Sequence, residues 1–181
     1  GIAAVVPSYE TPLFVYCYSG ARSAQATDRL QRMGYQNVQN IGGIGNITLI
    51  PAGCTLDQVT AFDTGPGNMV MDALVTKLTE GKLTYDDGGK LAASGKVIPE
   101  MLAWMLEDPY LAKQPPKTTG REYYGKEYVQ KLLSFGDYAL VDILTTATAF
   151  TAHSIALSLR RFARRLPHRL GGAGGGSRNP T

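Results

Sequence analysis

The apolar positions of this chain change period as it runs, and the changes mark its elements. LFVYC, residues 13–17, is a short apolar run of β-formers behind Pro12, the pattern of a buried parallel strand. Ala24, Ala26, Leu30 and Met33 then recur at helical spacing, with Gly34 where a helix C-cap belongs. NVQNI, residues 37–41, returns to a strand pattern. Together these predict a strand, loop, helix, strand unit whose first loop lies at the carboxyl end of its strand, where open α/β sheets hold ligands.

From Gly42 the pattern changes. GGIGNITLIPAG reads as a glycine hairpin feeding an alternating strand through Ile47 and Leu49, with turn residues from Pro51 to Gly53. QVTAFDTGPGN, residues 58–68, reads as a strand ending in a tight loop, with Asn68 as N-cap of a helix through MVMDALVTKLTEG that Gly81 closes. Pro99 opens a further helix through EMLAWMLED, and EYVQKLL forms another; the prolines and glycines of PYLAKQPPKTTGREYYG between them predict loop. A long helix is expected from Asp137 to Leu166, with Leu140, Leu144, Ala147, Ile155, Leu159, Phe162 and Leu166 on its apolar face and Pro167 stopping it.

Composition narrows the class. The chain has 181 residues, 44% hydrophobic and 18% charged, which suits one ordinary domain or a domain plus a piece of another. Residues 138–159 have the span of a membrane helix, but Asp142, His153 and several threonines are costly in lipid, so a buried helix of a soluble protein is expected and no membrane partner. The net charge of +3 is small, and the arginines after Asp142 read as a solvated helix end, so no nucleic-acid partner is expected. Cys17 and Cys54, without a secretory leader pattern, point to a reducing compartment and a cytoplasmic location. No His or Cys cluster has metal-ligand spacing, so no metal site is assigned.

Two glycine-bearing regions carry candidate chemistry. In CYSGAR, Cys17 sits at a strand end, Gly20 permits a tight loop and Arg22 enters the next helix, an arrangement that lowers a thiol pKa and cradles an anion. These residues resemble the active-site loop of the rhodanese family of sulfurtransferases, over about residues 3–44 and only its second half. The resemblance implies Cys17 as a persulfide-carrying nucleophile, with Tyr18, Ser19, Gly20, Ala21 and Arg22 as its cradle.

Glycines let a backbone approach phosphate, and NIGGIGN and GGAGGGSRN are both candidates, although a GGAGGGS tail alone reads as a linker. In order along the chain, QNIGGIGNITLIP, AFDTGPGNMVMDAL, QPPKTTGREYYG and GGGSRNPT closely resemble the anhydro-N-acetylmuramic acid kinase family, over about residues 38–181. That family lies in the actin-like, sugar-kinase ATPase superfamily. The resemblance implies ATP with Mg2+, neither tightly bound, and 1,6-anhydro-N-acetylmuramic acid as partners. It implies nucleotide contacts at Gly42, Gly43, Gly45, Asn46, Gly174, Gly175, Gly176 and Asn179. Asp63, Thr64, Gly65, Gly67, Asn68, Lys117 and Arg121 become cleft candidates. From the residues alone, Asp63 and Asn68 could equally be loop and cap chemistry, and Lys117 and Arg121 a solvated pair.

The expected architecture is therefore α/β in two parts. Residues 1–39 would be a partial rhodanese-like β-loop-α-β unit, and residues 40–181 an incomplete actin-like, ribonuclease H-like ATPase lobe with a mixed sheet and helices. Phosphoryl transfer to water and sugar needs a first phosphate loop and a carboxylate to act on the water. In the family both are expected from the N-terminal half, and residues 1–39 match neither, so the kinase base is expected to be absent and turnover by the isolated chain slight. A sulfurtransferase using Cys17 and a non-catalytic nucleotide-binding fragment are the alternatives; self-association through an exposed lobe surface stays open.

Overall fold

A computed structural model describes residues 13–15, 29, 32–34, 38–40, 43–51, 53 and 55–163. Strand β1 (Leu13–Val15) pairs in parallel with β2 (Val38–Asn40), Leu13 opposite Val38 and Val15 opposite Asn40. A parallel pair needs a crossover. Its return is helical where described: the Met33 amide donates to the Arg29 carbonyl at 3.1 Å, and Gly34 takes a φ of 96°, the left-handed turn that ends a helix.

Strand β3 (Gly45–Leu49) pairs antiparallel with β4 (Thr60–Gly65), placing Ile47 opposite Phe62. The register shifts between Gly45 and Asn46, so that Gly45 faces Gly65 while Asn46 faces Asp63. The two pairs are separate two-stranded pieces. Among the described residues no third strand joins either, so residues 40–181 show a small antiparallel pair with helices where a mixed sheet is expected from sequence.

Six helices follow among the described residues: α1 (Asn68–Leu78), α2 (Pro99–Leu106), α3 (Pro109–Ala112), α4 (Arg121–Tyr124), α5 (Lys126–Leu133) and α6 (Leu140–Phe162). Three expectations are corrected. Asn68 is the first helical residue of α1, and Gly67 holds the cap position. Residues 109–125, expected to be loop, contain α3 and α4. Asp108 caps α3, its carboxylate accepting from the Tyr110 amide at 2.9 Å, and burial of Tyr110 and Tyr124 anchors the two short helices in the core. Helix α6 starts at Leu140 and ends at Phe162, with Ala163 already extended at φ −79° and ψ 124°.

The inner face of α6 also differs from the expected stripe. Ile143, Leu144, Ala147 and Phe150 are buried, but further along it is Ser154 and Ser158 that are covered, while Ile155 and Leu159 are half-buried. Small residues there let β4 come close: a Cβ built on Gly65 would lie 3.0 Å from Ser154 Oγ. Phe62 of β4 meets Phe162 edge-on, ring centres 5.3 Å apart.

The threonines of α6 each hold another segment. Thr145 Oγ1 donates to the Ala92 carbonyl at 2.6 Å, and Thr146 Oγ1 accepts from the Ile98 amide at 2.9 Å, satisfying a donor at the start of α2. Thr148 contacts Met71 Sδ at 3.1 Å and Thr151 donates to the Gly67 carbonyl at 3.1 Å. A buried polar group left unpaired costs about 1–3 kcal/mol, so these hydroxyls fix which segments lie against the helix. By length and composition the 23-residue α6 could cross a membrane; in this fold its inner face is covered by α1, α2 and β4. Val70, Leu74, Met101, Met105, Leu132 and Leu144 form the centre of the core around it.

Candidate active site

The two glycine motifs fold as one unit. Gly67 has a φ of 53°, and a Cβ there would stand 2.5 Å from the Gly45 amide nitrogen and 2.6 Å from the Gly43 oxygen. A side chain at 45 would meet Thr64 Oγ1 at 2.6 Å. The start of β3 and the loop leaving β4 thus touch backbone to backbone, which only glycine allows. This contact explains the displaced cap of α1. The Met69 amide donates to the Gly43 carbonyl at 2.9 Å, so a first-turn donor is satisfied across the unit.

Asp63 is the centre of this unit and is only 2% exposed. Its Oδ1 accepts from Asn46 Nδ2 and its Oδ2 from the Thr119 amide, both at 2.9 Å. Its own amide donates to the Lys117 carbonyl at 3.1 Å, and its carbonyl accepts from the Tyr110 hydroxyl at 2.9 Å. Burial pushes the carboxyl pKa above the usual aspartate value, and the bonds from Asn46 and Thr119 oppose that rise. A carboxylate has about four lone-pair positions, and these two donors leave capacity for a ligand or water. Thr64 Oγ1, on the next residue of β4, and Thr119 Oγ1, on the residue whose amide bonds Asp63, are buried without a partner.

Lys117 is not solvated. It is 5% exposed, and its ammonium donates to the carbonyls of Tyr110 and Leu111, each at 3.2 Å. It also lies 4.8 Å from the ring centres of both Tyr110 and Phe162. Burial lowers its pKa, and Arg161 adds to the lowering. The cation therefore closes the carboxyl end of α3 from inside. Arg121 goes elsewhere: it is exposed, and with Gly43 and Asp72 it lines a cavity of about 640 Å3.

Gly43, Gly45, Asn46, Asp63, Thr64, Gly65, Gly67 and Asn68 are therefore gathered around one hairpin and the start of α1, with Lys117 behind them. Cys17, Tyr18, Ser19, Gly20, Ala21, Arg22, Gly42, Gly174, Gly175, Gly176 and Asn179 lie outside the described residues. Thr119, Tyr110 and Asp72 were missed in sequence. Asp72 carried a signal, as the single charge in MVMDALV; Thr119 acts through its backbone, which no side-chain pattern reports.

No group of three His, Cys, Asp or Glu residues is assembled among the described residues. Mg2+ that keeps water and phosphate oxygens as its ligands needs no all-protein cage.

Comparison with known proteins supports the same reading. The sequence profile of the family described as "Anhydro-N-acetylmuramic acid kinase" matches residues 24–181. A protein of that name from Caldanaerobacter subterraneus subsp. tengcongensis is 48% identical over 128 residues, covering 69% of this chain and 32% of its own. One from Bacillus cereus (strain AH187) is 45% identical over 151 residues, 80% of this chain and 38% of its own, and one from Clostridioides difficile is 44% identical over 126 residues. The chain spans about a third of the length of the curated relatives it matches. With the profile covering most of its residues, the chain belongs to the anhydro-N-acetylmuramic acid kinase family.

Proposed function

We propose that this chain is part of an ATP-dependent kinase that phosphorylates 1,6-anhydro-N-acetylmuramic acid while water opens the anhydro ring, a step in recycling cell-wall amino sugars. The observation that carries the reading is Asp63, a buried carboxylate fixed by donors from two motifs. In this reading Asp63 accepts the proton of the attacking water. Its raised pKa favours that role, because a base works best when its pKa approaches the operating pH. It takes the place of the carboxylate expected upstream. Asn46 sets the angle of the carboxylate.

Gly43 is open enough to serve the phosphates, since the nearest atom a Cβ there would meet is the Met69 Cβ, at an ordinary contact distance of 3.6 Å. Gly45 is crowded by Thr64, so its missing side chain serves packing first. Gly42 would complete the hairpin, and Gly174, Gly175, Gly176 and Asn179 would contact the adenosine. Mg2+ bound with ATP would neutralise phosphate charge. We place the protein in the cytoplasm, as a soluble enzyme that binds neither nucleic acid nor membrane. Because no first phosphate loop is matched in residues 1–39, the isolated chain is expected to turn over slowly. Thermal unfolding with Mg·ATP tests the nucleotide site: ATP should raise the Tm, and Gly175→Leu should remove the effect. No shift at saturating nucleotide would count against it.

A second reading, persulfide transfer by Cys17, rests on the CYSGAR motif, which follows in sequence a strand, β1, that pairs in parallel with β2. Thiocyanate release from thiosulfate and cyanide, lost in Cys17→Ser, would support it; a folded chain releasing none would end it.

A further inference from the structure

A second cavity lies where the end of α2 meets α4 and α5, and its volume of about 440 Å3 is within the roughly 300–1,000 Å3 typical of small-molecule sites. Its walls are aromatic. Trp104 stacks on Tyr128 with ring centres 6.0 Å apart and 29° between the planes, and Tyr123 lines the cavity with them. Trp104 and Tyr123 keep 37% and 39% of their surface exposed, which leaves ring area for a ligand. The polar lining is acidic: Glu107, Asp108, Glu122 and Glu127 stand against one cation, Lys131. Asp108 is fixed in place, its carboxylate accepting from the Tyr110 amide at 2.9 Å, the Tyr123 hydroxyl at 2.6 Å and the Tyr124 hydroxyl at 3.1 Å. Among the described residues Glu107, Glu122 and Glu127 pair with no cation.

Tyr128 gives a separate sign of a missing ligand. It is 7% exposed, and its hydroxyl has no hydrogen-bond partner, whereas buried polar groups normally have one. Burial, and after it the charge of Asp108 and the Tyr123 phenol, push its pKa up, so the hydroxyl is neutral and lies within reach of the field of that acidic wall.

We propose that this cavity binds a linear aliphatic polyamine, its methylene chain against Trp104 and Tyr123, its ammonium groups on Asp108, Glu122 and Glu127, and one N–H donated to the Tyr128 hydroxyl. Aromatic faces attract organic cations, and their apolar surface suits the methylenes between the charges. A bare metal ion fits less well, because no three carboxylates among the described residues converge on one point. Four carboxylates against one lysine leave charge for more than one ammonium, so a single quaternary ammonium would satisfy only part of the lining.

Trp104 is the only tryptophan of the chain, so its emission reports on this cavity. Spermidine titrated into the whole chain should change that emission saturably, while MgCl2 and tetramethylammonium chloride at matched ionic strength should not. Glu122→Gln and Glu127→Gln, both at exposed positions, should each raise the Kd by about three- to tenfold without moving the Tm, the loss of one charge-assisted bond. Tyr128→Phe should weaken spermidine binding by about the same factor yet leave the Tm unchanged or higher, because the hydroxyl it removes has no protein partner. An emission unmoved by spermidine, an equal response to Mg2+ or tetramethylammonium, or the parent's affinity in both glutamate variants would overturn the proposal. None of the lining residues belongs to the hairpin, so any of these results leaves the kinase reading standing.

Discussion

At the scale of single residues, the site depends on how two carboxylates are held. Asn46 lies opposite Asp63 because the strand register shifts by a residue just before it, and its amide is one of two donors to the Asp63 carboxylate. Removing it in Asn46→Ala leaves Oδ1 with no protein donor, so the Asp63 pKa should rise further, as read by carboxyl NMR titration. Stability should fall by about 1–3 kcal/mol in chemical denaturation. Asp72 behaves differently. Burial pushes its pKa up to about 7, against the attraction of Arg121, with Lys126 lining the same cavity. The folded state then binds more protons than the unfolded chain between about pH 4 and pH 7, so this group contributes a fall in stability as pH rises through that window. Asp72→Asn should therefore be more stable than the parent at pH 8, by about 1–3 kcal/mol, and the two should converge near pH 4. Equal stability at both pH values would show that Asp72 is not held as described.

At the scale of elements, close approach does most of the positioning. Gly67→Ala combines a left-handed φ of 53° with three backbone atoms within 2.7 Å of the new Cβ, and should cost about 3 kcal/mol or more. The loss should appear in hydrogen exchange as early opening of the β3–β4 pair and the first turn of α1. Thr146→Val keeps the shape of α6 but removes the acceptor for the buried Ile98 amide, so α2 should loosen and stability should drop by about 1–3 kcal/mol. These contacts also mark what the sequence could and could not tell. The strand of β4, the start of α2 and the body of α5 were legible because period, Pro99 and amphipathic spacing act locally. The cap at Gly67, the turns of α3 and α4 and the buried serines of α6 were not. Each is decided by a partner distant in sequence: Gly43 for the cap, the tyrosine-lined core for the short helices, and β4 for the serines. Within the site, DTGPGN and NIGGIGN were visible as motifs, yet their contact, and the bond that Asn46 makes across it, required the fold.

At the scale of the molecule, α6 is a spine whose inner hydroxyls hold the segment before α2, α1 and the loop after β4, and β4 with Asp63 packs against its carboxyl-terminal half. The central claim is that this hairpin is the reaction centre of a sugar kinase. The most direct measurement is phosphosugar formation, followed by phosphorus NMR, from Mg·ATP and 1,6-anhydro-N-acetylmuramic acid. The chain would be grafted in place of the matching segment of the Bacillus cereus relative, with and without Asp63→Asn. The graft should form product, and Asp63→Asn should lower kcat by about 10²–10⁴-fold, the usual contribution of a general base, while ATP binding is kept. Undiminished turnover by the Asp63→Asn graft, or a folded, ATP-binding graft that forms no phosphosugar, would contradict it.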